Sequence, residues 1–186
     1  MPFEPHCNVL RNSGRRTSFA HTLFGLSILA CGSLAAAAPD TAPVSVFKSK
    51  SVNWTAESPT VQKAKRGGRV SLVLRGTPVN GWHIYGFNQH ANGPIPLRAA
   101  LDPTDLASVG GQVAASAPIK KFEPAFGVET PYYQRDFTVT IPVQLKANAP
   151  VGRQLIPVSV RFQACSNGTC EPPKTIHLSA PVQIVA

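Results

Sequence analysis

The sequence is poor in most of the features from which a function is usually read. Met1 is the only methionine among 186 residues, and the five histidines include no close pair. A metal site would have to be assembled from His83 and His90, which is a thin ligand set. Lys and Arg are scattered, with clusters only in "KAKRGGR" (63–69) and at Lys120-Lys121, and no aromatics are interleaved with them. That pattern argues against a nucleic-acid surface and for an ordinary solvated one. Beyond the N-terminal segment no run approaches the ~20 apolar residues of a membrane span. No stretch carries the 3.6-residue apolar period of an amphipathic helix, and no internal repeat is visible. Finally, there is no Cys-x-x-Cys, so the chain has no thioredoxin-type dithiol of its own.

What is present begins with an export signal. Arg11, Arg15 and Arg16 precede the apolar stretch "FAHTLFGLSILACGSLAAAA" (19–38), which ends in small residues. This assigns 1–38 to a signal peptide cut near Ala36–Ala38, 39–43 to a short tether and 44–186 to one domain. A second reading of the same segment stands beside it: "ILAC" (28–31) resembles a lipobox, which would leave a lipidated Cys31 as a membrane anchor. Cleavage near Ala37 leaves 15 basic and 8 acidic residues, a net charge of +7. Of the four cysteines, Cys7 lies in the leader and Cys31 is either lost with it or lipidated. Cys165 and Cys170 are then the mature thiols, and an oxidising compartment favours bridging them.

The mature part alternates apolar and polar residues at period two. "PVSVFK" (43–48), "RVSLVLRG" (69–76), "GWHIYG" (81–86), "PLRAAL" (96–101), "DFTVTIPVQL" (136–145), "RQLIPVSVRFQAC" (153–165) and "KTIHLSAPVQIV" (174–185) all read as strands between Gly, Pro and Asn turns. Eighteen prolines oppose helices and suit edge strands and loops. Seven or more short strands imply an all-β fold, an immunoglobulin-like antiparallel β-sandwich. One region breaks the rhythm: "SAPIKKFEPAFGVETPYYQRD" (116–136) is long, aromatic and interrupted by proline, and reads as a functional loop.

The cysteines flank Asn167-Gly168, the strongest short hairpin signal, which predicts a type I′ turn. Ser166 then faces Thr169 as a hydrogen-bonded pair. Cys165 faces Cys170 directly, with Cα atoms about 4.5–5.5 Å apart, within reach of a disulfide. Such a bridge closes a very small loop and contributes less than the ~3 kcal/mol of a 15-residue loop. Pro172-Pro173 cannot donate ladder bonds, so the second strand stops just after Cys170. Geometry alone leaves both a structural staple and a redox pair open.

Three blocks narrow this: "NGWHIYGFNQHANGPIPL" (80–97), "FGVETPYYQRDFTVTIPV" (126–143) and "VRFQACSNGTCEPP" (160–173). In order and spacing they resemble the N-terminal periplasmic domain of the thiol:disulfide interchange protein DsbD, across roughly 44–186. The resemblance implies an immunoglobulin-like sandwich that passes reducing equivalents from a membrane-linked donor to periplasmic, thioredoxin-like acceptors. It implies that Cys170 exchanges with partners, that Cys165 resolves the mixed disulfide, and that no metal or organic cofactor takes part. It also implies a cap loop over the disulfide, with Phe126 as the covering aromatic and Phe122 as the second candidate. Glu123 falls where the family carries an acidic residue near the cysteines, and Tyr85 matches an aromatic placed beside them. In "GWHIYG", alternation puts Trp82 and Ile84 on one face and His83 and Tyr85 on the other. Trp82 reads as core, His83 as a packed or surface histidine, and Tyr132 and Tyr133 as packing residues. The membrane and thioredoxin-like domains of the full-length family protein are not in these 186 residues, so the expectation is supply of electrons in trans. Protein folding, cytochrome c maturation and peroxide defence are the pathways such a relay could feed. The rival readings are a non-catalytic immunoglobulin-like interaction module with a structural disulfide, and a metal-binding sandwich using His83 and His90.

Overall fold

A computed structural model describes residues 45–57 and 62–186; the expected signal peptide, Cys31 and the tether lie outside the described residues. The described residues fall within one compact unit, Asp40–Ala186. Fourteen strands follow one another: β1 Ser45–Lys48, β2 Val52–Glu57, β3 Gln62–Lys65, β4 Arg69–Pro78, β5 Trp82–Tyr85, β6 Arg98–Leu101 and β7 Ala107–Val109. Then come β8 Ala114–Ala115, β9 Ile119–Glu123, β10 Val128–Tyr133, β11 Phe137–Leu145, β12 Gly152–Phe162, β13 Ala164–Ser166 and β14 Lys174–Val185.

They form three sheets. One runs β1-β2-β4-β11-β7 with β8 also on β11; the second runs β3-β14-β12-β6; the third, β13-β5-β10-β9, carries the cysteine hairpin. The first two supply the halves of the sandwich. Val52 and Trp54 on β2, Leu72 and Leu74 on β4, and Val139, Ile141 and Val143 on β11 are buried, as are Ile156, Val158, Val160 and Phe162 on β12 and Leu178, Val182 and Ile184 on β14. All belong to one apolar cluster. β11 shows the cause plainly: its residues alternate buried and half-buried without a break. The all-β, immunoglobulin-like sandwich is therefore the fold that the alternation implied. Pairing is antiparallel except between β14 and β3, which run parallel.

Two expectations need correction. Residues 116–136 are not a structureless loop: β9 and β10 pair there as a hairpin. The prolines are not confined to edges either. Pro131, Pro142 and Pro157 sit inside β10, β11 and β12, each flanked by strands on both sides. Each accepts one ladder bond, from Gly86 N (2.8 Å), Gly110 N (2.9 Å) and Asp102 N (3.0 Å) respectively, and none can return the reciprocal bond. The donors are the residues immediately after β5, β7 and β6. Three short strands thus stop where a proline cannot answer them.

Phe162 closes the core next to the cysteine hairpin, 5.7 Å from the Trp54 ring and 6.4 Å from Phe47 by ring centroids. Truncating so large a buried side chain typically costs about 3–5 kcal/mol. Phe162→Ala is expected to lower the urea midpoint by that equivalent at an unchanged denaturant slope, measured by equilibrium unfolding.

Candidate active site

The third sheet separates two environments by period-two alternation. Cys165 lies opposite His83 and Ala164 opposite Ile84 in the β13–β5 register. Tyr85 lies opposite Tyr132, and Ile84 opposite Tyr133, between β5 and β10. Residues directly opposite share a face. Ala164, Ile84 and Tyr133 therefore face the main core, to which they belong. Tyr133 stacks on Phe137 at 4.0 Å and donates its hydroxyl to Ser116 O at 2.8 Å. Trp82 also packs against that core, with Lys50 Nζ 5.9 Å from its ring. Cys165, His83, Tyr85 and Tyr132 face the other way. Lys121 and Glu123 of β9 share this second face through their pairing with Thr130 and Val128.

Cys165 and Cys170 are joined by a disulfide with Cα atoms 4.0 Å apart, closer than the sequence suggested. The register is the expected one. Ser166 N donates to Thr169 O at 2.8 Å, Cys165 and Cys170 form a lone antiparallel bridge, and Glu171 N donates to Ala164 O at 2.9 Å. The turn type is not. Gly168 is absent from the glycines with positive φ, whereas a type I′ turn needs positive φ at both central residues. The hairpin is held by its paired strands and the Sγ–Sγ bond rather than by a left-handed Gly168.

The two sulfurs differ in exposure. Cys165 is 1% exposed and clusters with Tyr85 and Tyr132, with Phe126 packed against them. Cys170 is on the surface. The disulfide thus joins a buried residue to an exposed one.

The β9–β10 turn delivers Phe126. Glu123 O accepts bonds from Phe126 N (3.0 Å) and Gly127 N (2.9 Å), and Gly127 takes the left-handed φ of 66° that closes the turn. Phe126 meets the Tyr85 ring edge-on, 6.2 Å between centroids. Phe122 lies opposite Glu129 on the other face of β9 and is 59% exposed, so the hairpin does not bring it to the disulfide. Glu123 accepts a hydrogen bond from the Tyr85 hydroxyl, and burial together with this carboxylate pushes the Tyr85 pKa up. His83 is 8% exposed; its ring sits 5.1 Å from Tyr85 and 5.0 Å from Tyr132. Burial lowers its pKa against the opposing pull of Glu123, with Lys121 lowering it further, so the imidazole is neutral near pH 7. His90 is exposed, and among the described residues no group of three His, Cys, Asp or Glu could hold a metal.

Sequence reasoning missed Glu171, the residue after Cys170. It is 8% exposed, and its carboxylate accepts from Ser51 Oγ at 2.9 Å and from Lys174 Nζ at 3.2 Å, with Lys50 Nζ at 3.6 Å. Sharing a face with Ala164, it turns inward while Cys170 turns out. A charge between Cys170 and Pro172 was the only hint in the sequence; Ser51 is 120 residues away. A larger cleft, about 780 Å³, lined by Gln89, Gln112 and Ser116 among others, includes neither cysteine.

The site is thus a disulfide on a hairpin of an all-β sandwich, with Cys165 buried, Cys170 exposed and Phe126 from a second hairpin packed beside Cys165, and a family match gives its class as a thiol–disulfide interchange domain. The chain belongs to the family described as thiol:disulfide interchange protein DsbD, N-terminal, whose model matches residues 52–180. Among solved structures, the chain is similar to the Neisseria meningitidis DsbD N-terminal domain in the reduced form. That likeness has 22% identity and a TM-score of 0.42, covering 61% of this chain and 78% of that one. It is also similar to the N-terminal periplasmic domain of ScsB from Proteus mirabilis, at 16% identity and a TM-score of 0.47, covering 73% of this chain and 51% of that one. No curated protein matches the sequence.

Glu171 offers a pH test. Burial alone would raise its pKa, but the bonds from Ser51 and Lys174 and the charges of Lys174 and Lys50 outweigh that and hold it below 4.5. A carboxylate whose folded pKa is depressed stabilises the fold above its unfolded value and loses that contribution as pH falls through the folded one. Glu171→Gln is expected to cost about 1–3 kcal/mol at pH 7. The gap from wild type should close as the pH drops below about 4.5, measured by urea unfolding across pH 3–7.

Proposed function

We propose that this chain is a periplasmic thiol–disulfide exchange domain, exported by residues 1–38, with residues 44–186 as its working part. It relays reducing equivalents by cycling Cys165 and Cys170 between dithiol and disulfide. The observation that carries this reading is the unequal exposure of two sulfurs in a bridge that closes too small a loop to stabilise the fold much. In the dithiol form the Cys170 thiolate attacks a partner disulfide, giving a mixed disulfide. Cys165 Sγ then attacks Cys170 Sγ, the Cys170–partner bond breaks, and the partner leaves reduced. A membrane-linked donor, acting in trans, returns two electrons to the domain. Thioredoxin-like periplasmic proteins are the acceptors of suitable chemistry, and maturation of cytochromes c is one process they could serve. Neither metal nor organic cofactor enters any step. The chain reaches its partners either free in the periplasm or tethered through a lipid on Cys31. Among the described residues no helix is long and apolar enough to cross a membrane.

Phe126 is the cap of this reading, since its packing on Tyr85 closes over Cys165. Tyr85 and Glu123 support it from beneath, the one by ring contact and the other by the hydrogen bond to the Tyr85 hydroxyl. Phe122, exposed on the opposite face, serves partner contact better than shielding.

A Cys165→Ala variant is expected to accumulate mixed disulfides through Cys170 in periplasmic extracts, seen as bands that reductant removes. The couple should also equilibrate above about −300 mV in thiol redox buffers. A clean gel together with a lower potential would leave the disulfide as a staple in an interaction module. Separately, Phe126→Ala is expected to raise the rate at which a small thiol reagent attacks the oxidised pair by several-fold, followed as loss of the disulfide; an unchanged rate removes Phe126 from the cap role.

A further inference from the structure

A buried polar atom without a partner is costly and asks for an explanation. His83 Nε2 is such an atom: it is buried and has no hydrogen-bond partner among the described residues. The ring is not a surface accident, being wedged between Tyr85 and Tyr132 and 8% exposed. Nor is it placed at random. His83 is the direct cross-strand neighbour of Cys165, on the same face, where Cβ atoms stand about 4.5–5.5 Å apart. It also borders a cavity of about 330 Å³ shared with Glu123, Lys121, Ser166 and Asn167.

The present state is the disulfide, in which Cys165 carries no proton. Reduction creates an S–H on a sulfur that is 1% exposed, where bulk water is a poor acceptor. We propose that His83 is the proton acceptor for Cys165: its unpartnered nitrogen is matched only in the dithiol state, and it takes the Cys165 proton during resolution. This rests on the exchange reading above. In the step, Cys165 Sγ passes its proton to His83 Nε2 and attacks Cys170 Sγ. The Sγ–Sγ bond forms, and the Cys170–partner bond breaks. The partner sulfur leaves with the electron pair and takes a proton from solvent. His83 returns its own proton to solvent through the adjoining cavity. Two electrons pass from the domain to the partner disulfide. The groups facing the imidazole are Cys165 from β13, Tyr85 from β5, Tyr132 from β10, and Lys121 and Glu123 from β9. Burial keeps the ring neutral, and so a base, at neutral pH.

The test uses the reduced domain and an aromatic disulfide reagent, 5,5′-dithiobis(2-nitrobenzoate). Cys170 releases one coloured thiolate in forming the mixed disulfide, and Cys165 releases the second in resolving it. His83→Phe keeps an aromatic ring between the two tyrosines and removes the base. The ratio of second-phase to first-phase rate is expected to fall at least tenfold. The second phase should be nearly flat with pH in wild type above about pH 6.5, and rise about tenfold per unit in the variant up to the ordinary thiol pKa of about 8.5. An unchanged ratio with the same pH profile overturns the proposal. The wild-type protein supplies a readout that does not depend on the variant folding: the His83 Nε2 nitrogen resonance should shift between disulfide and dithiol forms, and identical shifts overturn it. The reagent needs no physiological partner. A clean trapping gel with Cys165→Ala together with a potential below about −300 mV would therefore overturn the relay and leave this result standing or falling by itself.

Discussion

The register between β13 and β5 is the constraint on which the site depends. Because side chains alternate, placing Ala164 opposite Ile84 in the core obliges Cys165 to stand opposite His83 on the other face. A slip of one residue would turn the cysteine into the apolar interior and expose Ala164. The same rule, carried across β10 and β9, brings Tyr85, Tyr132, Lys121 and Glu123 to that face. The apolar residues of the sandwich thus fix which face the cysteine pair occupies.

The hairpin has fastenings besides its disulfide, and Glu171 is one of them. Ser166 N and Glu171 N bind across the hairpin on either side of the cysteines, while the Glu171 carboxylate is tied to Ser51 at the far end of the fold's sequence. Cys170 is therefore flanked by a backbone turn on one side and a buried charge on the other, besides its bond to Cys165.

How much of this was legible follows from where alternation survives. β4 and β11 keep strict period two through an apolar face, β12 and β14 keep it over most of their length, and the sandwich was readable from them. β3, with the sequence Gln-Lys-Ala-Lys, and β9, with Ile-Lys-Lys-Phe-Glu, are too polar to announce themselves and depend on their neighbours. Pro124 and Pro131 disguised the β9–β10 hairpin as a loop, because a proline inside a strand counts against it unless its missing donor is known to face a strand end. The cysteine pair, the Tyr85 face and the aromatic at Phe126 came through from spacing and resemblance. Glu171 did not, since its meaning lies in Ser51 and Lys50, which only folding brings near. Nor could Asn167-Gly168 reveal that Gly168 would not take a positive φ: the dipeptide permits a left-handed turn without requiring one.

Pro172 and Pro173 follow Cys170 directly, and neither has an N–H to offer. An extended segment arriving at the exposed sulfur finds a strand stripped of donors at the two positions where pairing would spread beyond the cysteine. Growth of the sheet by an added strand is thereby discouraged beside the exposed cysteine.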